Sequence, residues 1–435
     1  MNEDMGLIIM IIHVVQQGET IDSIAQMYGI DEVRLIKENG LADQNKLAVG
    51  QTILIVHAKQ VHTVKEGDTL QSIADQYGIT LIQLLRNNSY LLDREFIYPG
   101  EMIVIDFEDE KITKIATNGY VFPYVEPKIL EKNLLYMTYL SIYSYTISSN
   151  GKLNDIDDAN IISMAKSYGV APIMVISNIK EADYEDKELA HNILNNQEIK
   201  NNLIENALSV LKKKGYYAVN VNIPYVQTAD INLFIEFTLE FAERLHKEGF
   251  KAFITITPKT FELHPGKVHE EVDYSRIGQN IDGLVLISYD WAYPSDISAE
   301  TIPFYYVKNL VEIFSSKISP EKIFIGYTTI GYIYEMPYIE GDSKARAISY
   351  VNAVLLASEA NATIQFNSVN LSSYFYLKNQ DYYMVIFHDA RGLNTFIQMI
   401  PEFGLQGLAI WNAMYYLPQT FLLINTQYDI ETIKQ

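Results

Sequence analysis

One segment of this chain occurs twice. HVVQQGETIDSIAQMYGI, beginning at His13, returns as HTVKEGDTLQSIADQYGI, beginning at His62, 49 residues further on. Self-similarity at such a period means two copies of one small supersecondary unit, each folding by the same local rules. Each copy reads as a short apolar strand, a Gly-acid-Thr turn, an amphipathic helix, a Tyr-Gly stop, a second helix, and a closing strand after another glycine (VGQTILIV and PGEMIVI). Gly18 and Gly67 suit the tight turns, Thr20 and Thr69 suit helix N-caps, and Gly29 and Gly78 suit the stops. The units span residues 8–57 and 58–106. The apolar run at 7–12 is short and follows Glu3 and Asp4, so it reads as a strand and not as a secretion signal, which wants a basic start.

Residues 107–117 are charged and aperiodic and read as a linker. From there to residue 435, runs of β-branched and aromatic residues alternate with longer amphipathic stretches, the pattern of parallel strands joined by helices. Eight such runs stand at 120–124, 134–143, 170–176, 217–223, 251–256, 283–289, 322–327 and 407–411. The expected fold class is therefore α/β, a (β/α)8 barrel, with an α+β insertion between strands seven and eight at about 330–400, preceded by two small βααβ modules. Inside the insertion, 343–360 reads as a helix, 372–377 and 382–387 as a hairpin around Asn379 and Gln380, and 390–400 as a returning helix.

Composition narrows the function. The 435 residues carry 33 Lys+Arg against 54 Asp+Glu, a net charge of −21, which disfavours nucleic acid and anionic membranes as partners. No stretch approaches a membrane span, and the absence of Cys excludes a thiolate nucleophile, a Cys zinc site and a disulfide framework. No cofactor or metal is expected.

The two repeats resemble LysM modules at nearly every turn and core position. The resemblance implies binding of N-acetylglucosamine-containing glycan, peptidoglycan or chitin, through Gly18, Glu19, Thr20 and Ile21 in the first copy and Gly67, Asp68, Thr69 and Leu70 in the second, chiefly by polar backbone contacts.

The barrel, combined with these modules, resembles the spore-cortex branch of glycoside hydrolase family 18, on GVAPIMVISN at 169–178, ISYDW at 287–291 and LAIWN at 408–412. Both tryptophans of the chain, Trp291 and Trp411, fall in these segments. The resemblance implies that Tyr289 and Asp290 contact the acetamido and neighbouring groups of a sugar and that Trp411 floors its subsite. The family signature, Asp-x-x-Asp-x-Asp-x-Glu at the end of strand four, supplies a general acid and an aspartate that orients the acetamido group in a substrate-assisted reaction. Here the matching segment is GYYAVNVNIPYV at 215–226, which sets Tyr217, Asn220, Asn222 and Pro224 at the four acidic positions. Proline has no side-chain proton to give, and a neutral Asn222 can hydrogen-bond an acetamido group without stabilising positive charge beside it.

Period-2 alternation puts Val219, Val221 and Ile223 on one face of this strand, suited to the helix layer, and Asn220, Asn222 and Pro224 on the other, toward the barrel mouth. Asp230, Glu236 and Glu240 downstream read as capping or solvated residues, Asp389 beside His388 as a helix cap, and Tyr145, Tyr225 and Tyr293 as candidates for the rim. The preferred expectation is a glycan-binding, catalytically inactive glycosidase homologue associated with bacterial spores and made without an evident secretion signal. Two alternatives stay open: an active glycosidase with a relocated acid, and a structural coat component with spore-coat proteins as partners. Peptidoglycan is itself anionic, so on a chain this acidic its binding has to come from hydrogen bonds and stacking.

Overall fold

The computed structural model describes residues 10–41, 46–179, 187–224, 226–257, 272–287, 302–339, 345–378 and 382–433. The first repeat runs β1 (Ile11–Val14), α1 (Ile21–Tyr28), α2 (Glu32–Asn39) and β2 (Thr52–Ile55), with β1 and β2 antiparallel. The second runs β3 (Ala58–Thr63), α3 (Leu70–Tyr77), α4 (Leu81–Asn87) and β4 (Met102–Phe107), with the same pairing. The local logic of the sequence holds in both copies. Thr20 and Thr69 accept from Ser23 N and Ser72 N, at 3.1 and 3.0 Å, in reciprocal capping boxes, and Gly29 and Gly78 end their helices at φ of 65° and 68°.

Seven barrel strands follow in order: β5 (Thr113–Val121), β6 (Tyr139–Thr146), β7 (Ala171–Ser177), β8 (Ala218–Asn222), β9 (Lys251–Ile256), β10 (Gly283–Leu286) and β11 (Ile323–Thr328). The insertion then contributes β12 (Ile330–Met336), β13 (Arg346–Ser349), β14 (Gln365–Asn367), β15 (Ser372–Lys378) and β16 (Tyr382–Phe387), which form their own antiparallel sheet in the order β13-β12-β16-β15-β14. The chain returns as β17 (Gly407–Trp411), which pairs parallel with both β11 and β5 and closes an eight-stranded parallel barrel. A last short strand, β18 (Tyr428–Ile430), extends beside the start of β5.

Three segments differ from the sequence reading. The first strand begins at Thr113, inside the span read as linker, because β18 pairs with 113–115; Lys111 and Lys114 mask that strand in the sequence. Residue 134 closes the helix Pro127–Leu134, which starts on a proline at its first turn, and the second strand starts only at Tyr139. The insertion helix is the shorter Tyr350–Glu359: residues 346–349 pair with β12, and Ser349 caps the helix on Asn352 N. The hairpin strands β15 and β16 stand where the alternation put them, and the tip at 379–381 lies outside the described residues.

The barrel interior is a core of its own. Ala116, Tyr120, Tyr139, Tyr143, Ile173, Val175, Ala218, Phe253, Val285, Phe324 and Ala409 pack there, while Val219, Val221 and Ile223 pack outward under the helices. The repeats are fastened to this body. Gln419, on the helix Pro418–Gln427, donates to Thr52 O at 2.7 Å and to Asn39 Oδ1 at 3.1 Å, and Asn425 on the same helix donates to Asn87 Oδ1 at 2.8 Å. The loop before β2 also docks on the insertion: Ile364 N donates to Val49 O at 2.9 Å and Arg391 donates to Gly50 O at 3.2 Å. Among the described residues no helix is long and apolar enough to cross a membrane.

Candidate functional site

The four positions aligned with the acidic signature climb through the barrel along β8. Tyr217 lies just before the strand, its ring 6.1 Å from that of Tyr139, at the end opposite the mouth. Asn220 sits fully buried at mid-height. Its amide nitrogen donates to Tyr120 Oη at 2.8 Å, its oxygen accepts from Thr255 Oγ1 at 3.0 Å, and the two hydroxyls lie 3.3 Å apart. This triangle takes up both ends of the amide, and burial pushes the Tyr120 phenol up to about 12.

One layer higher, Asn222 is 2% exposed, and its buried Oδ1 has no hydrogen-bond partner among the described residues. A buried, unsatisfied acceptor is rare enough to mark a place where a ligand donor can fit. Pro224 follows, also buried, its carbonyl accepting from Asn178 Nδ2 at 3.3 Å. Around the mouth stand aromatic rings. Trp411 closes β17, half-buried, with ring centroids 5.2 Å from Tyr143 and 5.6 Å from both Tyr120 and Phe122. Phe122 in turn stacks on Tyr124 at 5.4 Å and 14°, and Tyr124 is 76% exposed. The flat aromatic surface can stack on the apolar face of a pyranose, and the unsatisfied amide oxygen at the end of β8 can accept from an N–H; both are binding chemistry.

Tyr289, Asp290 and Trp291 lie outside the described residues, as do Tyr225 and Tyr293. Tyr145 is not on the rim: it is fully buried outside the barrel wall, donating to Asp158 Oδ2 at 2.5 Å, because the register of β6 shifts after Ile142. The carboxylates downstream of β8 are tied elsewhere. Asp230 lies 2.7 Å from His191 Nδ1 and 3.1 Å from Asn195 Nδ2, Glu240 accepts from Gln197, and Glu236 faces Arg276 at 4.0 Å. Asp389 caps the helix Ala390–Ile397 on Arg391 N at 2.9 Å.

In the repeats, the turn side chains are committed locally. Glu19 Oε2 sits 2.9 Å from His13 Nε2 and accepts from Gln16 N, while His13 Nδ1 meets Tyr28 Oη at 3.1 Å. Asp68, His62, Lys65 and Tyr77 repeat the arrangement at nearly the same distances. The Gln16 amide, with His13, holds the Glu19 carboxyl below its usual range; the His62 bond, with the Lys65 amide, does the same for Asp68. Thr20 and Thr69 cap, Ile21 is buried and Leu70 half-buried, so at Gly18 and Gly67 the backbone is what remains to meet a ligand. The His-carboxylate-Tyr clusters were missed from sequence, although their signal was present: both copies hold His, an acid six residues on, and Tyr fifteen residues on.

The family model described as Glycosyl hydrolases family 18 matches residues 136–415, and that described as LysM domain matches 13–56 and 62–106. The chain belongs to glycosyl hydrolase family 18. This family 18 chain is 31% identical to the Cortical fragment-lytic enzyme of Bacillus subtilis (strain 168) over 431 residues, covering 96% of this chain and 98% of that protein. It superposes on the crystal structure of the Bacillus megaterium QM B1551 spore cortex-lytic enzyme SleL with a TM-score of 0.79 at 28% identity, covering 97% and 99% of the two chains. For the Bacillus cereus spore cortex-lytic enzyme SleL the values are 0.77, 25%, 97% and 99%. The likeness spans repeats, barrel and insertion together, yet residues 215–224 of this family 18 member contain neither Asp nor Glu.

Proposed function

We propose that this protein binds N-acetylglucosamine-type glycan of the bacterial spore wall without cleaving it. The observation that carries the reading is the pair at the end of β8: a proline where the family signature calls for a proton donor, and beneath it Asn222, whose buried acceptor oxygen has no partner among the described residues and can take an acetamido N–H. A general acid contributes ~10²–10⁴ in rate, and no proline can replace it. Binding, by contrast, needs only hydrogen bonds and stacking, and Trp411, Phe122 and Tyr124 supply the rings. The relatives named for cortical-fragment and spore-cortex lysis support the choice of spore glycan as the target.

The test is to incubate the purified chain with spore cortex fragments and with soluble chito-oligosaccharides. Retention on the fragments with no soluble N-acetylglucosamine products is the expected result. Product release by the unaltered protein would overturn it. Asn222→Asp combined with Pro224→Glu is the complementary arm: hydrolysis appearing only in the double variant supports loss of the acid at this place.

A further inference from the structure

The two repeats enclose a cleft that neither the Gly18 nor the Gly67 turn lines. It measures about 410 Å³, within the range of small-ligand sites, and is walled by α2 on one side and by β3, β4 and the turn around Tyr90 on the other. Its shape is preset, because α2 and α4 are each bonded to the barrel helix Pro418–Gln427 through Gln419 and Asn425. A gap between modules on a free tether would have no such fixed form.

The charges in this cleft run against the −21 of the chain. Arg34 is paired with Glu38 at 2.6 Å, and Arg94 is held bidentately by Glu101 at 2.7 and 2.8 Å. Asp31, on the same wall, is committed to the N-cap of α2 through Arg34 N at 2.8 Å. Lys37 remains. Its ammonium stands 4.7 Å from the centroid of the Tyr90 ring; it forms no ion pair among the described residues, though its charge helps to lower the carboxyl of Glu101, which is itself held by Arg94. Beside it Val61 and Met102 expose apolar side chains, 43% and 55% accessible, on the strand face that floors the cleft. A cation outside any ion pair among the described residues, held on an aromatic ring above an apolar floor, suits a ligand that is part sugar and part anion.

We infer that this cleft binds a saccharide unit bearing a carboxylate, with the carboxylate on Lys37 and the sugar against Val61 and Met102. The inference extends the glycan-binding reading to a second site and adds a preference for charged over neutral units. The carboxylate could belong to a lactyl ether on the sugar or to a peptide attached through it, and the probes separate these sources.

The full chain is titrated with chitobiose, with the N-acetylglucosaminyl-N-acetylmuramic acid disaccharide, and with that disaccharide carrying a short peptide. One or both carboxylate probes should bind more tightly than chitobiose, and raising salt should narrow the gap. Whichever carboxylate probe binds better identifies the source. Lys37→Gln should weaken that probe about tenfold, as expected for loss of a charge-assisted hydrogen bond, and leave chitobiose unchanged, while Lys37→Arg should keep most of the affinity. Lys37 is exposed, so these changes do not threaten folding. Chitobiose binding equal to that of both carboxylate probes, or affinities indifferent to Lys37→Gln, would overturn the cleft alone. Binding of no probe at all would overturn the proposed function with it.

Discussion

Asn220 and Tyr120 meet inside the barrel, amide nitrogen to phenol oxygen at 2.8 Å, at the height where the family signature has its second aspartate. A carboxylate there would have no amide hydrogen to give. Asparagine does, and Thr255 completes the triangle on the other end of the side chain. The interior of this barrel is thus a neutral, hydrogen-bonded plug. Tyr120→Phe keeps the ring that packs against Trp411 and removes only the hydroxyl, which accepts from Asn220. It should cost about 1–3 kcal/mol, the penalty of a buried donor left unsatisfied, read as a lower urea midpoint with unchanged slope. An unchanged midpoint would mean that the triangle does not hold the barrel together.

Gly50 and Gly100 hold equivalent places in the two repeats, both in the left-handed region at φ of 85° and 92°, yet their surroundings differ. A Cβ on Gly50 would lie 2.0 Å from Ile364 O, against the insertion, whereas a Cβ on Gly100 would meet nothing within 4 Å. Gly100→Ala should therefore cost only backbone strain, about 1–2 kcal/mol. Gly50→Ala adds a clash with backbone and should cost roughly 2–4 kcal/mol, unfastening the first repeat from the insertion. Thermal melts of the two variants, with limited proteolysis near residue 50, make the comparison. Equal losses would count against a docked first repeat.

How much of this was legible in the sequence depends on whether the signal was local. Caps and stops such as Thr20 and Gly29 are written within one helical turn, so both repeats could be read directly. The barrel strands were legible because Val219, Val221 and Ile223 alternate with Asn220 and Asn222, and only one face of such a strand can lie under helices. The start of β5 was hidden, because its pairing partner β18 comes more than 300 residues later and charged side chains surround it. Nor could sequence show that Asn220 is fully engaged while the Asn222 acceptor has no partner among the described residues. That distinction depends on Tyr120 and Thr255, which come from other strands. Phe122 and Tyr124 were within reach: they follow Tyr120 at alternate positions of the run 120–124, although β5 itself ends at Val121.

Glu38 gives the first repeat an unusual pH response. Burial raises its carboxyl to about 7, with Arg34 at 2.6 Å only partly opposing the shift. A folded pKa above the unfolded value of 4.5 means that stability is fully present below pH 4.5 and is lost as pH rises toward 7 and beyond. The protein should therefore be less stable at pH 8 than at pH 5 by as much as roughly 3 kcal/mol from this group. Glu38→Gln should remove that slope. Glu19 and Asp68 act in the opposite sense, since their lowered values give stability that is lost only under acid, as pH falls below the ordinary carboxylate range. Denaturant midpoints across pH 3–9 separate the two limbs, and a Glu38→Gln profile that parallels the parent's would refute this assignment.

Tyr124 offers the cleanest separation of binding from folding at the barrel mouth. It touches the rest of the chain through its stack on Phe122 and is otherwise solvated, so Tyr124→Ala should shift the unfolding midpoint little. If glycan lies across the mouth, the same change removes a stacking surface worth about 0.5–1.5 kcal/mol and should weaken chito-oligosaccharide binding about threefold to tenfold. Trp411→Ala cannot make this distinction, because its ring packs on Tyr120, Phe122 and Tyr143 and its loss would disturb the barrel. Asn222→Ala supplies the polar half of the same test. Removing an acceptor that no described residue uses should leave stability unchanged or improved while reducing affinity for N-acetylated oligomers, with little effect on their de-acetylated counterparts. Affinity unmoved by either substitution would place the glycan away from this mouth and confine binding to the repeats.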